Sequence, residues 1–136
     1  MPTLETQRQR SLDDACRCAQ LAEEFRGRET VVLDLTDITP VFDYFVITSG
    51  SNSRQMRALA EEIRLMMKAR GNRTHGTEGD NGDANWLVQD YGDIVLHVFH
   101  PDTRKLYDLE SLWADAKRID WRSTLGLPTV AAASTL

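Results

Sequence analysis

Cysteine is scarce: the 136 residues contain two, Cys16 and Cys18. They lie two apart in a stretch that reads as helix. Successive helical positions turn by about 100°, so the pair diverges and makes a poor disulfide. A CxC pair with no further cysteine gives little support for a metal site, and both read as small apolar residues on a packing face. Histidine is equally sparse, with His75, His97 and His100 alone. His97 and His100 stand three apart across a strand end, where they do not chelate as an i,i+4 helical pair does. No zinc site is expected, and His97 is expected as a core or half-buried strand residue. Aromatics are few, at three Trp, three Tyr and four Phe, so any aromatic cluster has a short list of members. A cationic surplus is missing too. Sixteen Lys and Arg face twenty-one Asp and Glu, for a net charge of −5. That argues against wholesale wrapping of nucleic acid, though an acidic protein can still dock on a basic one inside a ribonucleoprotein. No apolar run approaches membrane length, and MPTLETQRQR lacks the apolar core of a signal peptide. No membrane contact is expected, and a reducing, cytoplasmic compartment is.

What is present fits one globular domain, with 41% apolar and 27% charged residues. Residues 1–10 are polar and read as a flexible leader. Ser11 with Asp14 has capping-box form, and Leu12, Ala15, Cys16, Ala19 and Ala22 follow at helical spacing up to Gly27. TVVLDLT (30–36) and FDYFVIT (42–48) read as strands around a turn. Ser53–Arg70 reads as a helix with a stripe of Met56, Leu59, Ala60, Ile63, Met66 and Met67, closed by Gly71. Its other face is basic, with six Lys or Arg against two Glu over residues 54–73. Pairing of Arg57 with Glu61 at i,i+4 would hold such a face in solvent. NWLVQDY and DIVLHVF read as a hairpin turning at Gly92, with a weak strand near 73–76. Pro101 suits the start of a short helix, and a last helical piece with Leu109, Leu112 and Trp113 runs to about 121. The domain therefore spans 11–121. The small-residue tail 122–136 reads as disordered. The sum is an α/β (α+β) fold, a mixed sheet of about five strands flanked by helices.

Two stretches carry chemical content. Strand, Gly50-Ser51 turn and helix start would suit a phosphate, because free backbone N–H groups and the helix dipole converge there. Neither GxxxxGK[ST] nor GxGxxG is present, however. A nucleotidyltransferase built on this turn needs two or three carboxylates for metal ions. Glu61 and Glu62 point apart on a helix, and Asp34 and Asp37 do not share a face. The turn reads as a helix cap, with no catalytic residue and no cofactor. The second stretch, Gly76 to Asp93, holds five acids and no Lys or Arg, with Trp86 and Tyr91 inside it. Aromatic anchors beside carboxylates suit docking on a basic partner. They equally suit a core tryptophan beside solvated loop acids, and spacing leaves the two readings open. Alternation places Trp86, Val88 and Asp90 on one side of the strand, with Leu87, Gln89 and Tyr91 on the other.

VLDLTDITPVFDYFVITSGSNSRQ, the EG at 78–79, WLVQDYGDIVLHVF and RKLYDLESLW keep their order over about Gly27 to Ala116. Together they resemble the ribosomal silencing factor (Iojap-like) family. The resemblance implies a nucleotidyltransferase-like fold without catalytic acids, and a translation repressor rather than an enzyme. It implies binding to a basic protein, number fourteen, on the intersubunit face of the large ribosomal subunit, which sterically blocks subunit joining. The family's contact strand maps onto Trp86, Asp90 and Tyr91, with Asp93 at the turn. Asp43, Tyr44, Arg104 and Tyr107 are further motif positions assigned to partner binding. A homodimer is also implied. The loop between Gly79 and Trp86 is about one residue longer than the family pattern and richer in Asp. Two other readings of the residues remain: an enzyme using the Gly50-Ser51 turn, and an RNA-contacting assembly factor using the basic helix face.

Overall fold

A computed structural model of the chain describes residues 3–79 and 85–128. The Asp-rich loop at 80–84 and the tail from 129 lie outside the described residues. Helix α1 (Leu4–Glu24) leads into antiparallel strands β1 (Arg28–Asp34) and β2 (Tyr44–Ser49), followed by α2 (Ser53–Ala69). Strands β3 (Gly76–Glu78), β4 (Trp86–Asp90) and β5 (Ile94–Phe99) come next. Two short helices, α3 (Pro101–Tyr107) and α4 (Leu109–Leu112), precede β6 (Lys117–Ile119) and the closing turn α5 (Trp121–Thr124).

The six strands form one sheet in the order β3-β4-β5-β2-β1-β6. The central pair, β2 with β5, is parallel, from Tyr44 opposite Ile94 to Ser49 opposite Phe99. All other pairs are antiparallel. The mixed, helix-flanked sheet is thus the expected α+β arrangement with one strand more than expected.

The apolar pattern dictates the layering. On β2, Tyr44 and Val46 point to one side while Phe45 and Ile47 point to the other, and β5 divides in the same way. The first side is covered by α1 and α2. The α2 stripe of Met56, Leu59, Ala60, Ile63 and Met67 is buried there. Ala15, Cys16, Cys18, Ala19 and Ala22 of α1 are all fully buried beside it. These small residues let the helix axis approach the sheet closely, which is the packing role expected of both cysteines. Burial pushes the Cys16 thiol up to about 11 and raises Cys18 further. The second side carries Leu33, Leu35, Phe45, Ile47, Val95, Phe99 and Leu109 and receives no long helix.

Three sequence expectations are corrected. The first helix starts at Leu4, with Thr3 as its cap accepting from Thr6 N at 3.1 Å, not at Ser11. Ser11 is inside the helix and donates to Asp93 Oδ2. Second, the last helical piece does not run to 121. Asp108 at φ 45° breaks it into two short helices, and residues 117–119 add a sixth strand along β1. Third, the boundary at 121 falls inside α5. Trp121 is buried with its Nε1 donating to Thr30 O, and Leu125 and Leu127 pack on the core. Glu61 is held bidentately by Arg64, with N–O distances of 2.6 and 2.9 Å. Among the described residues no helix is long and apolar enough to cross a membrane.

Candidate functional site: an aromatic sheet face

The Gly50-Ser51 turn satisfies itself. Asn52 caps α2 by accepting from Gln55 N at 2.9 Å. The Gln55 side chain folds back to accept from Ser51 N at 2.6 Å and from Ser51 Oγ at 3.1 Å. Two of the backbone donors at this turn, Ser51 N and Gln55 N, are therefore taken up by the protein's own side-chain oxygens. Gly50 is needed for space: a Cβ there would lie 2.4 Å from Met56 Cγ, inside the helix that the turn begins. Among the described residues no three His, Cys, Asp or Glu gather to hold a metal ion.

The helix-free side of the sheet is different. Trp86 enters it from the first position of β4 and stacks on Phe99 with ring centroids 4.7 Å apart. Tyr107, at the end of α3, meets the same indole at 5.0 Å. Behind them His97 meets Phe45 edge-on at 4.6 Å, and Phe45 meets Trp113 at 5.8 Å and Phe42 at 5.3 Å. Trp86 Nε1 donates to His97 Nδ1 at 3.2 Å. Burial lowers the His97 pKa to about 4, so the ring is neutral at physiological pH. Tyr107 is 58% exposed, and on the same two short helices Leu106 is 80% and Leu112 72% exposed. An indole stacked on Phe99 and met by an exposed tyrosine, with exposed leucines on the same short helices, is the composition of a docking surface.

Arg104 fixes the edge of this face. It is buried, paired with Glu110 through Nε at 3.0 Å, and donates to Ser49 Oγ at 2.9 Å and Glu29 O at 2.7 Å. These bonds tie α3 to the ends of β1 and β2, and Tyr107 lies one turn further along the same helix. Arg104 acts on the surface through position rather than by exposure.

The other family-motif positions separate. Trp86 and Tyr107 come together. Tyr91 is only 3% exposed and belongs to the helix-covered side, where its hydroxyl donates to Gln89 Oε1 at 2.7 Å. Burial raises its pKa. Tyr44 is buried on that side too, and desolvation pushes its phenol up to about 12. Asp90 shares the Trp86 side of β4, but its carboxylate is taken up by the turn, accepting from Gly92 N at 2.7 Å. Asp93 is exposed, and its carbonyl accepts from the N–H groups of Asp43 and Tyr44. The half-buried Asp43 carboxyl is raised, chiefly by desolvation and then by the charge of Asp93, against Arg8. This acidic pair sits just before β2 and β5, about 20 Å along the strand from Trp86. The expected single patch therefore separates into an aromatic face and an acidic pair beside α1, where Ser11 donates to Asp93 Oδ2 and Arg8 acts on Asp43. Sequence reading missed Leu106, Leu112, Phe42 and Trp113 as parts of it. The one signal that pointed to them was the crowding of apolar residues in RKLYDLESLW.

Comparison with known proteins identifies the family. Residues 8–135 match the family described as ribosomal silencing factor during starvation. A ribosomal silencing factor of Bacillus subtilis is 38% identical over 102 residues, covering 75% of this chain and 86% of that one. The mouse protein named mitochondrial assembly of ribosomal large subunit protein 1 is 33% identical over 96 residues, covering 68% of this chain and 42% of its own. A crystal structure of a protein from Chromobacterium violaceum superposes with a TM-score of 0.70 at 30% identity, covering 77% and 85% of the two chains. With the family matched over nearly its whole length, this chain belongs to the ribosomal silencing factors, which are regulatory proteins and not enzymes.

Proposed function

We propose that this protein represses translation by docking its aromatic sheet face on the large ribosomal subunit, so that the small subunit cannot join. The observation that carries the reading is the side of the sheet that receives only the short helices α3 and α4, where Trp86 stacks on Phe99 and meets the exposed Tyr107. The name of the mouse relative supports a large-subunit partner. The family resemblance narrows the partner to a basic protein of the intersubunit face, protein fourteen.

Asp43 and Asp93, at the far end of the sheet, contribute steering toward such a partner. Tyr44 and Tyr91 serve the docking only by shaping the sheet from behind, and Arg104 by holding α3. The mechanism is steric and needs no cofactor. It acts where ribosomal subunits assemble, in the cytoplasm, through the single domain. A second copy of the chain is proposed to cover the same face when no ribosome is present.

Co-sedimentation with purified large subunits tests the reading. Trp86→Ala is expected to weaken binding by about 2 kcal/mol or more, roughly 30-fold, because it removes the central anchor. Equal binding by the variant would move the docking surface elsewhere on the molecule. Subunits that join normally in the presence of bound protein would sink the steric mechanism.

A further inference from the structure

The opposite charge logic operates on the far side of the molecule. Helix α2 turns Arg57, Arg64 and Lys68 along one line, and the chain beyond its end brings Arg73 up beside them. Arg64, Lys68, Arg73 and Thr74 line a groove of about 210 Å³. A second groove of about 140 Å³ adjoins it, sharing Arg64 and adding Arg57 and Thr77. Glu61 is the one carboxylate in either lining, and it is occupied by its two hydrogen bonds to Arg64. That pair also orients the guanidinium. Lys68 and Arg73 form no ion pair with any described residue.

The turn that carries Arg73 is ordered. Asn72 N donates to Met67 O at 2.8 Å, and the Thr74 hydroxyl donates to Asp90 O at 3.1 Å and accepts from Gly76 N at 3.1 Å. The cations are thus presented by a fixed frame in a protein whose net charge is −5.

We infer that this groove binds the phosphate backbone of an RNA strand. Resting on the proposed docking, it gives the protein a second, RNA-directed attachment on the large subunit. The lining of the larger groove holds three cations, a hydroxyl group and no apolar side chain. A peptide partner needs an apolar pocket for an anchor residue, whereas a phosphate backbone needs only cations and hydroxyl or amide donors. Arg64 and Lys68 are one helical turn apart, about 6 Å along the axis, so the two charges can engage neighbouring phosphates. Nothing in the groove reads a base edge, so the attachment is positional and independent of sequence.

Binding of the intact protein to large subunits, and separately to a protein-free RNA stem-loop, is measured between about 50 and 200 mM salt. Lys68→Ala/Arg73→Ala is compared with wild type. Both side chains are exposed, and an unchanged melting temperature confirms the fold. The slope of log affinity against log salt is expected to fall by about 1.5 in the double variant, near 0.7 to 0.9 for each phosphate no longer neutralised. Lys68→Glu/Arg73→Glu is expected to weaken binding to both ligands further. An unchanged slope on either ligand overturns the inference. If the variants weaken subunit binding while the wild type ignores the stem-loop, the groove faces an acidic protein surface and RNA is excluded. Trp86→Ala separates the two sites: it should lower subunit affinity without changing the salt slope or the stem-loop affinity. Should the wild type fail to bind subunits at all, the docking reading falls, and the stem-loop measurement still decides the groove.

Discussion

His97 is 6% exposed, and its two ring nitrogens have unequal surroundings. Nδ1 accepts from Trp86 Nε1, so the neutral ring carries its proton on Nε2. Nε2 is buried without a hydrogen-bond partner among the described residues. The rings of Phe45, Phe99 and Trp86 surround it. Charging this imidazole inside an apolar cluster is costly, which holds its pKa down at about 4. In the unfolded chain it titrates near 6.5. Between those values the unfolded state binds a proton that the native state refuses, so stability falls as pH falls. The loss is complete below about pH 4 and amounts to about 3 kcal/mol. Asp43 acts with the opposite sign, since its raised pKa favours the native state at low pH. His97→Gln keeps an acceptor for Trp86 and removes the titration. Urea denaturation at about pH 7, 5.5 and 4.5, spanning the window between the two pKa values, should therefore show a flatter profile for the variant than for wild type. Parallel profiles would mean that His97 is not the titrating group.

At the scale of the element, α3 is seven residues long and cannot hold itself on the sheet by its own hydrogen bonds. Arg104 does this through Glu110, Ser49 Oγ and the Glu29 carbonyl. Arg104→Ala removes the buried member of the pair and leaves the half-buried Glu110 only its longer 3.8 Å contact with Arg118, and breaking a buried pair costs at most about 3 to 5 kcal/mol. The expected result is lower stability together with weaker docking, although no docking residue is changed. Arg104→Lys should rescue little, because one ammonium cannot reproduce the forked geometry. Full subunit binding by Arg104→Ala would show that α3 keeps its place by other means.

The same region shows where sequence reading stops. β2 and α2 were legible because their patterns are strong: a six-residue run buried throughout and a continuous apolar stripe. β6 is three residues, KRI, two of them exposed and charged, and pairing along β1 gives it no apolar signature. Residues 5–10 of α1 are exposed, so no period marks them, and Ser11 inside the helix resembles its cap. Leu106, Leu109 and Leu112 repeat every third residue like an inward stripe. The left-handed Asp108 breaks that stripe, and only Leu109 is buried. For the site, alternation along β4 correctly separated Trp86 from Tyr91. The family pattern had grouped them, because motif positions record shared core as well as shared docking surface.

Across the whole molecule, helices cover one side of the sheet and leave the other to two short turns. A sheet face of this kind is normally buried against another layer. Here the layer is only two short helices, and Tyr107 beside Trp86, with Leu106 and Leu112 on those helices, stays in solvent. A second copy and the ribosome would then compete for one surface, which makes self-association and docking mutually exclusive. Leu106→Glu probes this without disturbing the core. The residue is 80% exposed, so monomer stability should change by no more than about 0.5 kcal/mol. The buried charge it would create in either interface should weaken both complexes. Sedimentation velocity of wild type should show a dimer that dissociates as large subunits are added, and Leu106→Glu should sediment as a monomer and fail to bind subunits. A variant that loses subunit binding while remaining dimeric would place the two interfaces on different faces. The aromatic side would then belong to the ribosome alone.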